Sequence, residues 1–183
     1  MARTPREDAE AWGTSHRVDE YVHVGGYLAA AHPAHVRARG ITHILKLFAD
    51  DPSYPGGQHR HPGVEYLVVA ADDAPGYPLE RHFVACLAFF QKAVRARGQI
   101  LLHCHMGISR APTIAMLYLI VLRGFALPQA WRLVKSRRPM ANPNPGFLAI
   151  LVDVDARVRR LRAEKKRGRP PGPGPAGGPG GPR

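Results

Sequence analysis

Eight consecutive residues carry the densest chemistry of the sequence: His103-Cys104-His105-Met106-Gly107-Ile108-Ser109-Arg110. They follow the apolar run Ile100-Leu101-Leu102 and precede Ala111–Leu122, which is apolar nearly all round. A buried strand that passes through a short loop into a helix makes an anion site, because the first N–H groups of the helix lack intrahelical partners and lie at the positive end of its dipole. Backbone N–H groups of such a loop cradle a phosphoryl group as a nest does. Gly107 lets the loop curl tightly, and Arg110 can grip two oxygens with its planar fork. The same positive field favours a thiolate, since helix N-termini and nearby arginines lower a cysteine pKa from ~8.5 into the range ~3.5–7.5. Cys104 then reads as an activated nucleophile aimed at phosphorus, which points to covalent phosphoryl transfer.

The loop resembles the signature of the cysteine-dependent protein phosphatases: His-Cys, five residues, Arg, with Ser or Thr before the Arg. Within that superfamily the chain is similar to the small atypical dual-specificity phosphatases over about residues 17–161. Val18–Gly26 and Gly40-Ile41-Thr42-His43-Ile44-Leu45 match the first two strands, and Pro139 with Asn142-Pro143-Asn144-Pro145-Gly146-Phe147 matches the start of the last helix. The resemblance implies that Cys104 is the nucleophile and that Arg110, with the N–H groups of His105, Met106, Gly107, Ile108 and Ser109, holds the phosphoryl group. It further implies that Ser109 bonds the sulfur and helps it leave, that His103 sits behind the loop and orients Cys104, and that Asn144 bonds the back of the loop. A departing alkoxide or phenolate needs a proton from a carboxylic acid. Family spacing places that acid about thirty residues before the cysteine, where Asp72 and Asp73 lie. Asp73-Ala74-Pro75 resembles the family's Asp-x-Pro pattern, which selects Asp73 and leaves Asp72 to cap the loop or face solvent. Three positions depart from the family: Lys46 where Asn is common, Ala111 where Ser follows the Arg, and His105 at the lip. They bear on substrate preference, not on catalysis.

The elements that must position these residues follow from periodicity. Tyr21–Val24, Ile41–Phe48, Val64–Val69 and Gln99–His103 read as strands. Val36–Gly40 closes a short helix. Leu79–Arg97, Ala111–Leu122, a segment marked by Leu127, Ala130, Trp131 and Val134, and one marked by Phe147 through Leu161 read as helices. Strands alternating with helices predict an α/β fold, with a central mostly parallel sheet of four to five strands covered on both faces. Residues 16–163 form the expected catalytic domain. Residues 1–15 read as a flexible polar leader and 164–183 as a disordered tail, because 13 of the 16 residues from Gly168 onward are Gly or Pro.

Composition limits the alternatives. The chain has 183 residues, a net charge of +12 and two cysteines. Two cysteines cannot build a disulfide framework or a four-cysteine zinc site. No apolar run is long enough to span a bilayer, and the N-terminus has no apolar signal core. An intracellular location, cytoplasmic or nuclear, is the expectation. Histidines do not pair with cysteine or carboxylate at ligand spacing, so neither a metal nor another cofactor is expected. Cys86 reads as a small buried hydrophobe or as a redox partner of Cys104, and His59-Arg60-His61 as a solvated loop or a substrate-reading patch. The leading function is hydrolysis of phosphotyrosine and phosphoserine or phosphothreonine in a phosphorylated protein. The basic balance and His105 keep a phosphoinositide or an RNA 5′-phosphate end as the alternative substrate, and a phospho-binding scaffold is the non-enzymatic alternative. Nine basic residues and one acid fall within 157–183. There Lys165-Lys166-Arg167-Gly168-Arg169-Pro170 reads as a nuclear-import cluster or a weak contact for DNA or another polyanion.

Overall fold

The computed structural model describes residues 13–50 and 60–167. Its sheet contains β1 (Ser15–Arg17), β2 (Val22–Gly25), β3 (Ile41–Lys46), β4 (Glu65–Val68) and β5 (Gln99–His103), in the order β1-β2-β5-β3-β4. Strands β2, β5, β3 and β4 are parallel, and β1 adds to the β2 edge antiparallel. Flanked on both sides, β5 is buried, which is why Ile100, Leu101 and Leu102 are all apolar. Its last residue, His103, lies opposite Gly25 of β2 and Lys46 of β3, so three strand ends meet at one level.

Alternate side chains along the strands serve two cores. Ile44 and Leu101 join Ala30, Val36 and Ile41 under α1 (Tyr27–Ala31) and α2 (Pro33–Ala38). Leu45, Ile100 and Leu102 join the larger core under α3 (Phe83–Arg95), α4 (Arg110–Val121), α5 (Leu127–Arg137) and α6 (Pro145–Arg167). Every residue of α4 from Arg110 to Ile120 is buried, as its all-round apolarity requires. This central helix fixes the loop that feeds it.

Several boundaries differ from the sequence expectation. Ser15 is buried in β1 and so belongs to the fold, not to a leader. Ser15-His16-Arg17 offers no apolar alternation to read, and its pairing with β2 supplies the structure. Helix α6 continues to Arg167 because Glu164-Lys165-Lys166-Arg167 are good helix formers. The helix expected over Leu79–Arg97 begins with a 3₁₀ turn, Leu79–His82, after Pro78. β3 stops at Lys46, and Leu47 and Phe48 leave the ladder toward the loop after β5. Residues 51–59 of the expected loop and 168–183 of the tail lie outside the described residues.

Candidate active site

The loop after β5 turns its carbonyls outward. His105 O accepts from Tyr27 N at 2.9 Å and Ile108 O from Asn142 N at 2.7 Å. Met106 O and Gly107 O accept from Nη2 and Nε of Arg138 at 2.8 and 2.7 Å. Across a planar trans peptide the carbonyl and the next N–H point in opposite directions. The N–H groups of Met106, Gly107, Ile108 and Ser109 therefore face the hollow of the loop. One of them is seen at work, since Gly107 N donates to Cys104 Sγ at 3.2 Å. Gly107 has φ +67°, and a Cβ there would fall on the Gly25 carbonyl, so the turn requires glycine.

Arg110 opens α4 and is 6% exposed. Its Nη1 donates to the carbonyls of Leu47 at 3.0 Å and Ala71 at 2.8 Å, and Nη2 donates to His105 Nδ1 at 3.3 Å. Its Nε is buried without a hydrogen-bond partner. The outer nitrogen thus anchors the guanidinium to the ends of two strands. The Nε–Nη2 edge is the fork that a phosphoryl group can accept from.

A carboxylate stands beside that edge. Asp73 Oδ2 lies 3.6 Å from Arg110 Nε, while Oδ1 accepts from Ser109 Oγ at 2.6 Å and Asn144 Nδ2 at 2.9 Å. Asp72 is exposed and makes none of these contacts. Two expectations are corrected here. The Ser109 hydroxyl donates its hydrogen bond to Asp73 Oδ1 and not to the Cys104 sulfur, a carboxyl oxygen being the stronger acceptor. The Asn144 side chain reaches Asp73 rather than the back of the loop; only its backbone N–H meets the loop, at Ser109 Oγ, 3.1 Å. Asn144 Oδ1 is already committed to capping α6 through Phe147 N at 3.0 Å, with Pro145 following as the first helical residue. Arg138 and the Asn142 N–H hold the back of the loop instead. A Cβ on Gly146 would run into the Pro75 carbonyl, so the segment carrying Asp73 rests directly on the start of α6.

A family model for the dual specificity phosphatase catalytic domain matches residues 22–157. The chain belongs to the dual-specificity phosphatase family. It is 33% identical over 156 residues to dual specificity protein phosphatase 1 of Arabidopsis thaliana, covering 85% of this chain and 74% of that one. It is 30% identical over 144 residues to dual specificity protein phosphatase 15 of Mus musculus, covering 78% of this chain and 59% of the relative. The crystal structure of human DUSP28 superposes with a TM-score of 0.72 at 31% identity, covering 79% of this chain and 95% of that one.

In this phosphatase domain an aromatic and cationic wall flanks the loop. The Phe48 ring packs 4.2 Å from the His105 ring and edge-on to His103 at 5.5 Å, centroid to centroid. Buried Lys46 lies over Phe48, with Nζ 4.4 Å from the ring centre and 2.7 Å from Asp50 Oδ1. That hydrogen bond holds the Asp50 carboxyl below the usual range. Arg60 meets the other oxygen of Asp50 at 2.8 Å, whereas His61 turns to the Ala30 carbonyl at 2.7 Å; His59 lies outside the described residues. Burial, with Lys46 adding to it, pushes His103 down to about 3, so the ring is neutral. Cys86 is enclosed in α3, and burial pushes its thiol up to about 12, the environment of a core hydrophobe rather than of a reactive thiol. Among the described residues no group of three or more His, Cys, Asp or Glu could hold a metal ion, and no helix is long and apolar enough to cross a membrane.

Arg138 is the site residue that sequence reasoning missed. In Lys135-Ser136-Arg137-Arg138 it reads as one more cation at a solvated helix end, and its burial is a tertiary fact.

Proposed function

We propose that this phosphatase hydrolyses phosphotyrosine and phosphoserine or phosphothreonine in proteins through a phosphocysteine intermediate. The observation that carries the reading is the loop itself, with four outward carbonyls, inward N–H groups and the Cys104 sulfur beneath them. Oriented donors in a dry hollow stabilise charge where it develops, without reorganising. The Cys104 thiolate attacks phosphorus and an S–P bond forms as the P–O bond to the leaving group breaks. Asp73 gives that oxygen its proton. Water then attacks the phosphocysteine, Asp73 takes a proton from it, and the S–P electron pair returns to sulfur as inorganic phosphate departs. Arg110 follows the equatorial oxygens through both steps with its Nε–Nη2 edge. Asp73 reaches both half-reactions because Ser109 and Asn144 hold it at the rim of the loop.

The test is a substrate panel on the full chain: an aryl phosphate, phosphotyrosine and phosphothreonine peptides, an inositol phosphate and a triphosphorylated RNA. Vanadate-sensitive turnover of the aryl phosphate and both peptides is expected, with Cys104→Ser inactive yet still binding phosphate esters. Arg110→Lys should be severely impaired, since an ammonium cannot reproduce the fork. Full activity of Cys104→Ser overturns the mechanism. Preference for the inositol phosphate or the RNA overturns the substrate class alone.

A further inference from the structure

Arg138 is the largest fully buried side chain of the described residues. It follows α5 directly, at the turn whose carbonyl accepts from Ala141 N. Its guanidinium spends Nε on Gly107 O, Nη2 on Met106 O and Nη1 on His16 Nδ1, at 2.7, 2.8 and 2.9 Å. Among the described residues no carboxylate pairs with it. A buried cation without a counter-ion is costly, and burial pulls this guanidinium down to about 10 while the Cys104 charge works the other way. Carbonyl oxygens can be satisfied by neutral donors at much lower cost. A neutral side chain would fix the chain here, yet the fold keeps a charge at this point.

We infer that Arg138 is a positioning residue for phosphoryl binding: its guanidinium holds the Met106 and Gly107 carbonyls out of the hollow and thereby aims the Gly107 and Ile108 N–H groups at the phosphoryl oxygens. The two peptide units it grips are consecutive, and each carries one inward N–H. A cation on the carbonyl end polarises a peptide and strengthens its N–H as a donor. The charge thus acts on phosphate through the backbone, from behind the loop, without touching the ligand. His16 of β1 takes the third edge, so the polar edge strand keeps the guanidinium in place from the side away from the loop. The groups facing Arg138 are His16, the two carbonyls and Cys104. The inference rests on the phosphatase reading for the identity of the oxyanion.

The test uses the full chain with Arg138→Lys, Arg138→Gln and Arg138→Met, and inorganic phosphate as the probe. Binding is read by calorimetry and by inhibition of aryl phosphate hydrolysis, and folding by thermal melting without phosphate. Losing one oxyanion donor costs about 10²–10³ in rate, and removing the guanidinium leaves two such donors without their aim. Arg138→Met should therefore lose about that factor in kcat/KM and at least tenfold in phosphate affinity, and Arg138→Gln should behave similarly. Arg138→Lys, which keeps the charge but reaches one carbonyl, should recover part of both. Folded variants with phosphate affinity within twofold of the parent overturn the inference. If Arg138→Met does not fold, Arg138→Gln and Arg138→Lys decide by the same criterion. If the parent binds phosphate in an Arg138-dependent way but turns nothing over, the positioning role stands and the catalytic reading falls.

Discussion

Ser109 and Asp73 share a 2.6 Å hydrogen bond in which the hydroxyl of the loop after β5 donates to Oδ1 of the aspartate proposed as the general acid. One residue therefore ties the loop that carries Cys104 to the segment that carries Asp73. The substitution Ser109→Ala separates two roles for this hydroxyl. If it positions Asp73, both half-reactions slow, and the loss on formation of the phosphocysteine grows with the basicity of the leaving group, reaching roughly tenfold on an alkyl phosphate, as expected for a weakened general acid. If it assists departure of sulfur, the loss falls on hydrolysis of the intermediate and is the same for every substrate. Burst kinetics on two substrates of different leaving-group pKa should show the first pattern.

The same contacts distinguish the two neighbouring aspartates. Asp73 lies against Ser109, Asn144 and Arg110, and Asp72 faces solvent. Asp73→Asn should lower kcat by about 10²–10⁴ and flatten the basic limb of the pH–rate profile, because the basic limb reports loss of the proton to be donated. Asp72→Asn should cost roughly tenfold at most. Reversed magnitudes would move the register of this segment by one residue.

Much of this arrangement is legible in the sequence because its signals are local. Ile100-Leu101-Leu102 and the all-apolar α4 announce a buried strand and a buried helix, and the only segment between them is the loop. Gly107 reads as a turn residue and its positive φ agrees. The parts that stay hidden depend on partners distant in sequence. β1 is polar and exists through its ladder with β2. Ser109 reads as a hydroxyl near sulfur, since nothing in the sequence places the Asp73 segment on α6. Gly146, pressed against the Pro75 carbonyl, is the residue that permits that placement. Arg138 hides among basic neighbours that are exposed, while it alone turns inward.

Buried histidines set an acid limit on stability. His23 on β2 is 3% exposed, and burial, with Arg39 adding to it, pushes it down to about 4, against 6.5 when exposed. Between those values the unfolded chain binds a proton that the folded chain does not, so stability is fully present above pH 6.5 and is lost as pH falls toward 4. A shift of that size corresponds to about 3 kcal/mol. His103, pushed down to about 3, acts in the same direction and extends the loss to lower pH. Denaturant melts of the parent should lose stability steadily through this window. His23→Gln should remove a large part of the slope, and an unchanged slope would place the responsible groups elsewhere.

The C-terminal end of the described chain carries charge and little packing. The last hydrogen bonds from α6 to the body among the described residues are those of Arg162, which donates to the Ile120 carbonyl at 2.8 Å and the Gly124 carbonyl at 3.2 Å. Beyond it Ala163 to Arg167 are exposed, and Leu161 is already 54% exposed. Removing residues 164–183 keeps Arg162 and every buried residue of α6, so kcat/KM on an aryl phosphate should stay within about twofold, as for a change at the solvated surface. The removed segment carries Lys165, Lys166, Arg167, Arg169 and Arg183. If these cations meet a polyanion, the intact chain should bind duplex DNA with an affinity that falls steeply as salt rises, because each neutralised phosphate releases a condensed counterion. The shortened chain should lose most of that binding while hydrolysing the small substrate as before. Equal retention of both chains on DNA at low salt assigns the attraction to the folded domain and leaves the tail without this role.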